Sequence, residues 1–182
     1  YRPKFVMGYS DNTHLTLLMN TLLDTASIYG QHVTEFGMNE WDCSLKEAFE
    51  ILTGNRNIQT SYPLYEAKDA NQIDPLGGYI LTEQSIWKNV CGEPEIRLSG
   101  RFIGGCLDVF LAHLGTPYDQ VSSFLERYQY DGIVWFMEAC DLNLFAYKRA
   151  LWQLKEAGWF KYTKGIIFGR HLNASPVIDL NQ

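Results

Sequence analysis

The stretch Lys4-Phe5-Val6-Met7-Gly8-Tyr9-Ser10-Asp11-Asn12-Thr13 decides how this chain is read. Residues 4–9 have the apolar character of a short strand, Gly8-Tyr9-Ser10 makes a turn, and a helical pattern starts at once. Leu15, Leu18, Met19 and Leu22 are spaced i, i+3, i+4, i+7, which predicts a helix over 13–23 with that face buried. A serine at the tip of a strand-turn-helix is how a nucleophilic hydroxyl is pushed out of a sheet. Ser10, Asp11 and Asn12 are also good helix caps, and most Ser-Asp pairs before a helix only cap it, so the stretch alone reads first as a capped helix start.

Working outward, the 182 residues allow one sizeable domain, or one domain and part of another. Hydrophobic residues make up 46% and charged residues 20%, enough for a real core. The net charge of −6 comes with no basic run, which argues against nucleic acid as a partner. The longest apolar run, from Gly132 to Met137, is too short to span a bilayer, and Tyr1-Arg2-Pro3-Lys4 is no leader pattern. Cys43, Cys91, Cys106 and Cys140 form no Cys-x-x-Cys pair, so a reducing, cytoplasmic setting without zinc is expected. No metal and no cofactor is expected.

Further along, Ser27–Val33 reads as a strand and 44–52 as a helix with a Ser44–Glu47 capping box. Asn57–Tyr62, Tyr79–Leu81 and Glu95–Leu98 read as short strands of a small antiparallel or barrel-like region, with Pro63–Gly78 as loop and a turn at Cys91–Pro94. Gly104-Gly105 precedes a helix bearing Leu107, Phe110, Leu111 and Leu114, and could cradle an anion. A short helix is expected over 120–127. Residues 131–138 form a buried strand, 143–157 a helix and 165–169 a second buried strand. That order is a βαβ unit with parallel strands.

Glu138 closes the apolar run Gly132-Ile133-Val134-Trp135-Phe136-Met137. A carboxylate at the carboxyl end of a buried parallel strand is where α/β sheets place functional groups, though many strands simply end in a charge. His14, His32, His113 and His171 show no metal spacing; His113 is expected as a partly exposed spacer, and His171 could face the sheet edge of Glu138.

Four segments together resemble the LD-carboxypeptidase family of serine peptidases, which includes the microcin C immunity proteins. Gly8-Tyr9-Ser10-Asp11-Asn12-Thr13 is similar to its nucleophile turn. Ser99-Gly100-Arg101 through Gly104-Gly105 and Leu107 to Gly115-Thr116-Pro117 is similar to its glycine signature. Val134–Glu138 is similar to its acid-bearing strand, and Gly165–Arg170 to its late Gly-Arg strand. The resemblance implies Ser10 as nucleophile, the Asp11 backbone N–H as half of an oxyanion hole, and Glu138 as the acid that orients an imidazole. It also implies Trp87 as a stacking surface for a nucleotide base.

Two departures stand out. The family's Gly-His is not found in the 12 residues after Arg170, and Leu142 stands where the microcin-immunity branch tends to have Lys. The implied fold is α/β: a mixed-sheet or barrel-like carboxy-terminal domain over 36–182 with flanking helices. Residues 1–35 would be the elbow strand and helix of a Rossmann-like domain lying outside the chain. The implied activity is hydrolysis of an amide next to a free carboxylate, in a murein tetrapeptide or a peptide-nucleotide conjugate, by a homodimer, with this fragment inactive alone. Two other readings stay open. One is a non-catalytic binding or dimerisation domain. The other is a piece of an α/β-hydrolase, against which Asn12 stands where Gly-x-Ser-x-Gly needs its last glycine.

Overall fold

The structure, a computed structural model, describes residues 4–67, 74, 76–93 and 95–171. In chain order, a 3-10 turn at Ser10–Asn12 leads into α1 (Thr13–Thr21), followed by α2 (Cys43–Leu52), β1 (Leu64–Tyr65), β2 (Glu83–Gln84) and β3 (Arg101–Cys106). Then come α3 (Leu107–His113), α4 (Val121–Arg127), β4 (Ile133–Glu138), α5 (Leu144–Glu156) and β5 (Thr163–Phe168). It is a mixed α/β architecture of small sheets with flanking helices. Two compact units share the chain: Tyr1–Met7 with Gly30–Ile96, and Gly8–Tyr29 with Arg97–Gln182.

In the unit that contains α2, β1 and β2 make a two-residue antiparallel ladder, Leu64 opposite Gln84 and Tyr65 opposite Glu83. The expected strands at 57–62, 79–81 and 95–98 are absent among the described residues, and no barrel forms there. Parts of the expected loop and turn (68–73, 75 and 94) lie outside the described residues. The capping box is replaced by a simpler cap. Asp42 accepts the Leu45 N–H at 3.0 Å and the Ser44 hydroxyl at 2.8 Å. Glu47 instead accepts the Tyr62 hydroxyl at 2.7 Å and pairs with Arg56 at 3.1 Å. An aspartate two residues earlier wins because its side chain reaches two donors at once.

The other unit is built on a parallel sheet in the order β3-β4-β5. Arg101 faces Ile133 at one end of the first ladder and Cys106 faces Glu138 at the other. β4 pairs with β5 through the α5 crossover, as the βαβ reading requires. β4 is buried along most of its length. Ile133, Trp135 and Met137 join the core with Leu107 and Phe110 of α3, Phe124 of α4 and Leu154 of α5. Trp135 stacks on Trp159 at 6.0 Å between ring centres, with the Phe110 ring against both. Each buried ring of this size is a large apolar contribution, so this cluster is the unit's chief source of stability.

Three local expectations change here. Gly104-Gly105 is no pre-helical cradle; both lie inside β3. A Cβ on Gly104 would sit 1.9 Å from the Phe136 carbonyl oxygen and 2.5 Å from its ring, so only glycine lets that ring lie across β3. In α1 the buried face is Thr13, Thr16, Leu17, Met19 and Thr21, whereas Leu15 and Leu22 are half exposed. Two of the three buried threonines bond backbone, Thr21 to the Leu17 carbonyl and Thr13 to the Cys106 N–H, as a hydropathy pattern cannot show, while the buried Thr16 hydroxyl has no partner among the described residues. Finally, residues 4–9 and 27–33 form no ladder, and the Gly8 N–H donates to the Ile28 carbonyl at 3.2 Å.

His113 is buried rather than an exposed spacer. Its Nε2 lies 3.0 Å from Nδ1 of His14, joining α3 to α1 by a hydrogen bond that needs one ring to accept. Burial, and then the neighbouring His14, push the His113 pKa below its ordinary value, with Asp119 opposing weakly.

Two outcomes are expected. Gly104→Ala should lower the urea midpoint by an amount equivalent to about 3 kcal/mol, because the new methyl meets backbone that cannot yield. A midpoint within experimental error of the parent would contradict the strand geometry. The second outcome concerns pH. Below about 6.5 the unfolded chain takes up a proton that buried His113 refuses, so stability should be full above that pH and decline below it. Melting temperatures at pH 7.5 and 5.0 should differ less in His113→Asn than in the parent; an unchanged difference would remove His113 as the cause.

Candidate active site

Ser10 has φ 53°, a left-handed backbone that residues with a Cβ adopt only at a cost of about 1–3 kcal/mol. It sits between an extended segment and α1, the geometry of an elbow. The capping alternative finds no support in its contacts. Neither the 3-10 turn nor α1 has a side-chain cap bond, and among the described residues no hydrogen bond engages the Ser10 hydroxyl. The Asp11 N–H, next in the turn, is likewise taken up by no described group. Both lie at the positive end of a short helix, where developing negative charge is favoured.

Two contacts fix this turn against the sheet. The Thr13 hydroxyl accepts the Cys106 N–H at 3.0 Å in a buried site. The Ser10 N–H donates to the Tyr29 phenol oxygen at 2.8 Å, and the same phenol donates to Oε1 of Glu138 at 2.5 Å. Ser10 and Glu138, 128 positions apart in the chain, are thus two hydrogen bonds apart in space. Glu138 is at the carboxyl end of β4 and projects on the same face as Phe136, against whose ring Tyr29 leans at 5.5 Å.

The surroundings of Glu138 are polar but neutral. Burial first, and then the carboxylate, push the Cys106 thiol up to about 12 and the Tyr147 phenol up to about 12. Burial followed by the bond to Glu138 pushes the Tyr29 phenol far up as well, so it keeps its proton as donor. Below the carboxylate, Asp108 organises the loop that follows β4. It accepts the Cys140 N–H at 3.0 Å, the Asp141 N–H at 3.1 Å and the Cys106 thiol at 3.3 Å. Burial would raise its pKa, but these donors outweigh that and hold it below the ordinary carboxylate range.

Of the residues singled out in the sequence, Ser10, Asp11 and Glu138 are brought together. Trp87 belongs to the other unit and is 66% exposed. His171 follows β5, with its Nε2 on the Leu142 carbonyl and its ring 6.0 Å from Tyr147. The described residues hold no cluster of three or more metal-ligating groups and no helix long and apolar enough to cross a membrane. Sequence reading missed Tyr29, Thr13 and Asp108. Tyr29 lies in a segment read as a strand, and no local pattern marks a phenol whose partners are 19 and 109 positions away.

Comparison with known proteins gives this geometry a context. Residues 99–180 match the family described as the LD-carboxypeptidase C-terminal domain. The microcin C7 self-immunity protein MccF of Escherichia coli is 25% identical over 173 positions, covering 93% of this chain and 48% of that protein. A Rickettsia conorii protein with a provisional carboxypeptidase name is 25% identical over 184 positions, covering 99% and 49%. The chain therefore spans about half the length of the curated relatives it matches. The fold is similar to MccF in complex with glutamyl sulfamoyl guanosine, at a TM-score of 0.63 and 21% identity over 93% of this chain and 50% of that one. It is also similar to a muramoyltetrapeptide carboxypeptidase from Oxalobacter formigenes, at 0.59 and 21% identity over 92% and 46%. At those identities the likeness speaks for the fold. The family match over residues 99–180, the two sequence relatives and the fold agree in making this chain similar to the LD-carboxypeptidase family, with the match falling on that family's C-terminal domain.

Proposed function

We propose that this chain carries the nucleophile and the acidic member of a serine carboxypeptidase site. The observation that supports this best is Ser10, a non-glycine residue with φ 53° and an unengaged hydroxyl, linked through one phenol to the carboxylate that ends a buried parallel strand. A helix cap needs neither the strained backbone nor the carboxylate.

In this reading the Ser10 hydroxyl attacks the carbonyl of an amide that lies next to a free carboxylate. An imidazole, assigned to no residue of this chain, takes the hydroxyl proton and passes it to the leaving amine. Oε1 of Glu138 is occupied by Tyr29, so Oε2 is the oxygen that orients the imidazole and stabilises its charged form. The Asp11 N–H stabilises the oxyanion from the start of the helix. Water then hydrolyses the acyl-enzyme by the same proton transfers in reverse. The substrate is a murein tetrapeptide or a peptide-nucleotide conjugate; both present a scissile amide beside a carboxylate or an acidic mimic of one.

The test uses the protein as its source makes it. Release of the terminal amino acid from a murein tetrapeptide, and cleavage of a peptidyl sulfamoyl nucleoside, are followed side by side to choose the substrate. Ser10→Ala should reduce kcat on the true substrate by about 10³-fold or more, and Glu138→Gln by about 10²-fold or more. Undiminished turnover by Ser10→Ala would reject the reading.

A further inference from the structure

We propose that Tyr29 is a positioning residue of this site, setting the Ser10 elbow and the Glu138 carboxylate in one geometry through a single phenol oxygen. The inference rests on the peptidase reading of Ser10 and Glu138. It goes further because it assigns a role to a residue in neither the nucleophile turn nor the acid strand.

The gap between the Ser10 N–H and Oε1 of Glu138 is flanked by a donor and an acceptor. The group that joins them must accept from one and donate to the other. A phenol does both at once; a phenylalanine does neither, and a lysine could not accept. The phenol is also held in place, since its ring leans on Phe136, whose own position depends on the bare Gly104. The contact to Glu138 is a charge-assisted bond, the stronger class.

Two consequences follow. The carboxylate is held in one orientation, which leaves Oε2 as its remaining acceptor, with no described hydrogen bond of its own. The Ser10 amide is satisfied from outside the helix, so the left-handed turn does not need to relax to find a partner.

Tyr29→Phe keeps the ring and removes both bonds. Losing a hydrogen bond to a charged group predicts a fall in kcat of about tenfold to hundredfold, with KM within about twofold. The acid limb of kcat/KM gives a second readout. The other titratable groups facing Glu138 are Cys106 from β3, Tyr147 from α5 and Cys140 from the following loop, all pushed up and neutral at working pH. Removing the phenol donor leaves more of the carboxylate's charge for its remaining partner. The limb set by the imidazole paired with that carboxylate should therefore move to higher pH. In a Glu138→Gln background, Tyr29→Phe should cost less than in the parent, because the share of its effect exerted through the carboxylate is already gone and only the share through the Ser10 amide remains.

Replacing Tyr29 by 2,3-difluorotyrosine keeps the shape and makes the phenol a stronger donor, so the limb should move to lower pH without loss of fold. This second variant decides the matter if Tyr29→Phe unfolds. Unmoved acid limbs in the folded variants, or fully additive losses with Glu138→Gln, would overturn the proposal. Ser10→Ala run in parallel separates the two ideas. If it retains turnover, the peptidase reading itself fails. If it abolishes turnover while Tyr29→Phe leaves kcat and the acid limb unchanged, only the role of Tyr29 fails.

Discussion

The hydrogen bond from the Cys106 N–H to the Thr13 hydroxyl is the constraint on which the rest of the site depends. The elbow is at the start of α1 and the acid at the end of β4, and α1 has no backbone ladder to the sheet. Thr13 supplies the missing register. It seats the first turn of α1 at the carboxyl end of β3, and the parallel ladder then places Cys106 beside Glu138. The approach is close because Gly105, at φ 144°, has no side chain; a Cβ there would lie 2.7 Å from both Cγ2 and Oγ1 of Thr13. Without the hydroxyl, a buried N–H would lose its partner, a cost of about 1–3 kcal/mol at the point where helix and sheet meet.

This explains why the elements were more legible than the site. Strong periodic signals carried β4 and α5, and the strand-helix-strand order carried β5 and the parallel pairing, but the burial expected of 165–169 is not found: β5 holds no buried residue and Phe168 is 46% exposed. α3 was legible by the single apolar face of Leu107, Phe110, Leu111 and Leu114. β3 was not, since Arg101-Phe102-Ile103-Gly104-Gly105-Cys106 reads as glycine punctuation until the Phe136 ring across Gly104 is seen. The buried face of α1 was misread because threonine hydroxyls replace leucines where the helix must bond to backbone. The two-stranded ladder at 64–65 and 83–84 is too short to leave a period. In the site, Ser10 and Glu138 stood out locally, one by its turn and the other by the apolar run before it. Tyr29 and Asp108 act across long separations, on backbone amides and a carboxylate, and such partners leave no mark on neighbouring residues.

The glycine signature resolves into packing devices rather than an anion cradle. Gly104 admits the Phe136 ring and Gly105 admits Thr13. Gly169 continues past β5 by donating to the Met137 carbonyl at 2.7 Å, while its missing side chain leaves the Cβ of Glu138 uncrowded. Each stands beside a residue that positions Ser10 or Glu138. A motif that looks like ligand-binding chemistry in one dimension is, in three, the set of close approaches that lets a helix start, a strand end and a phenol occupy the same small volume.

The strain at Ser10 fits the same logic. A left-handed serine persists only where its surroundings over-determine it. Here the N–H is held by Tyr29, the helix that follows is pinned by Thr13, and the turn has no capping bond that a relaxed serine would bring. Relaxing φ would swing the N–H off the phenol and withdraw one of the two contacts that keep Tyr29 on Glu138. The elbow and the carboxylate therefore cannot move independently, and the hydroxyl stays presented because the Ser10 N–H, the Tyr29 phenol and the Thr13 hydroxyl are already bonded elsewhere.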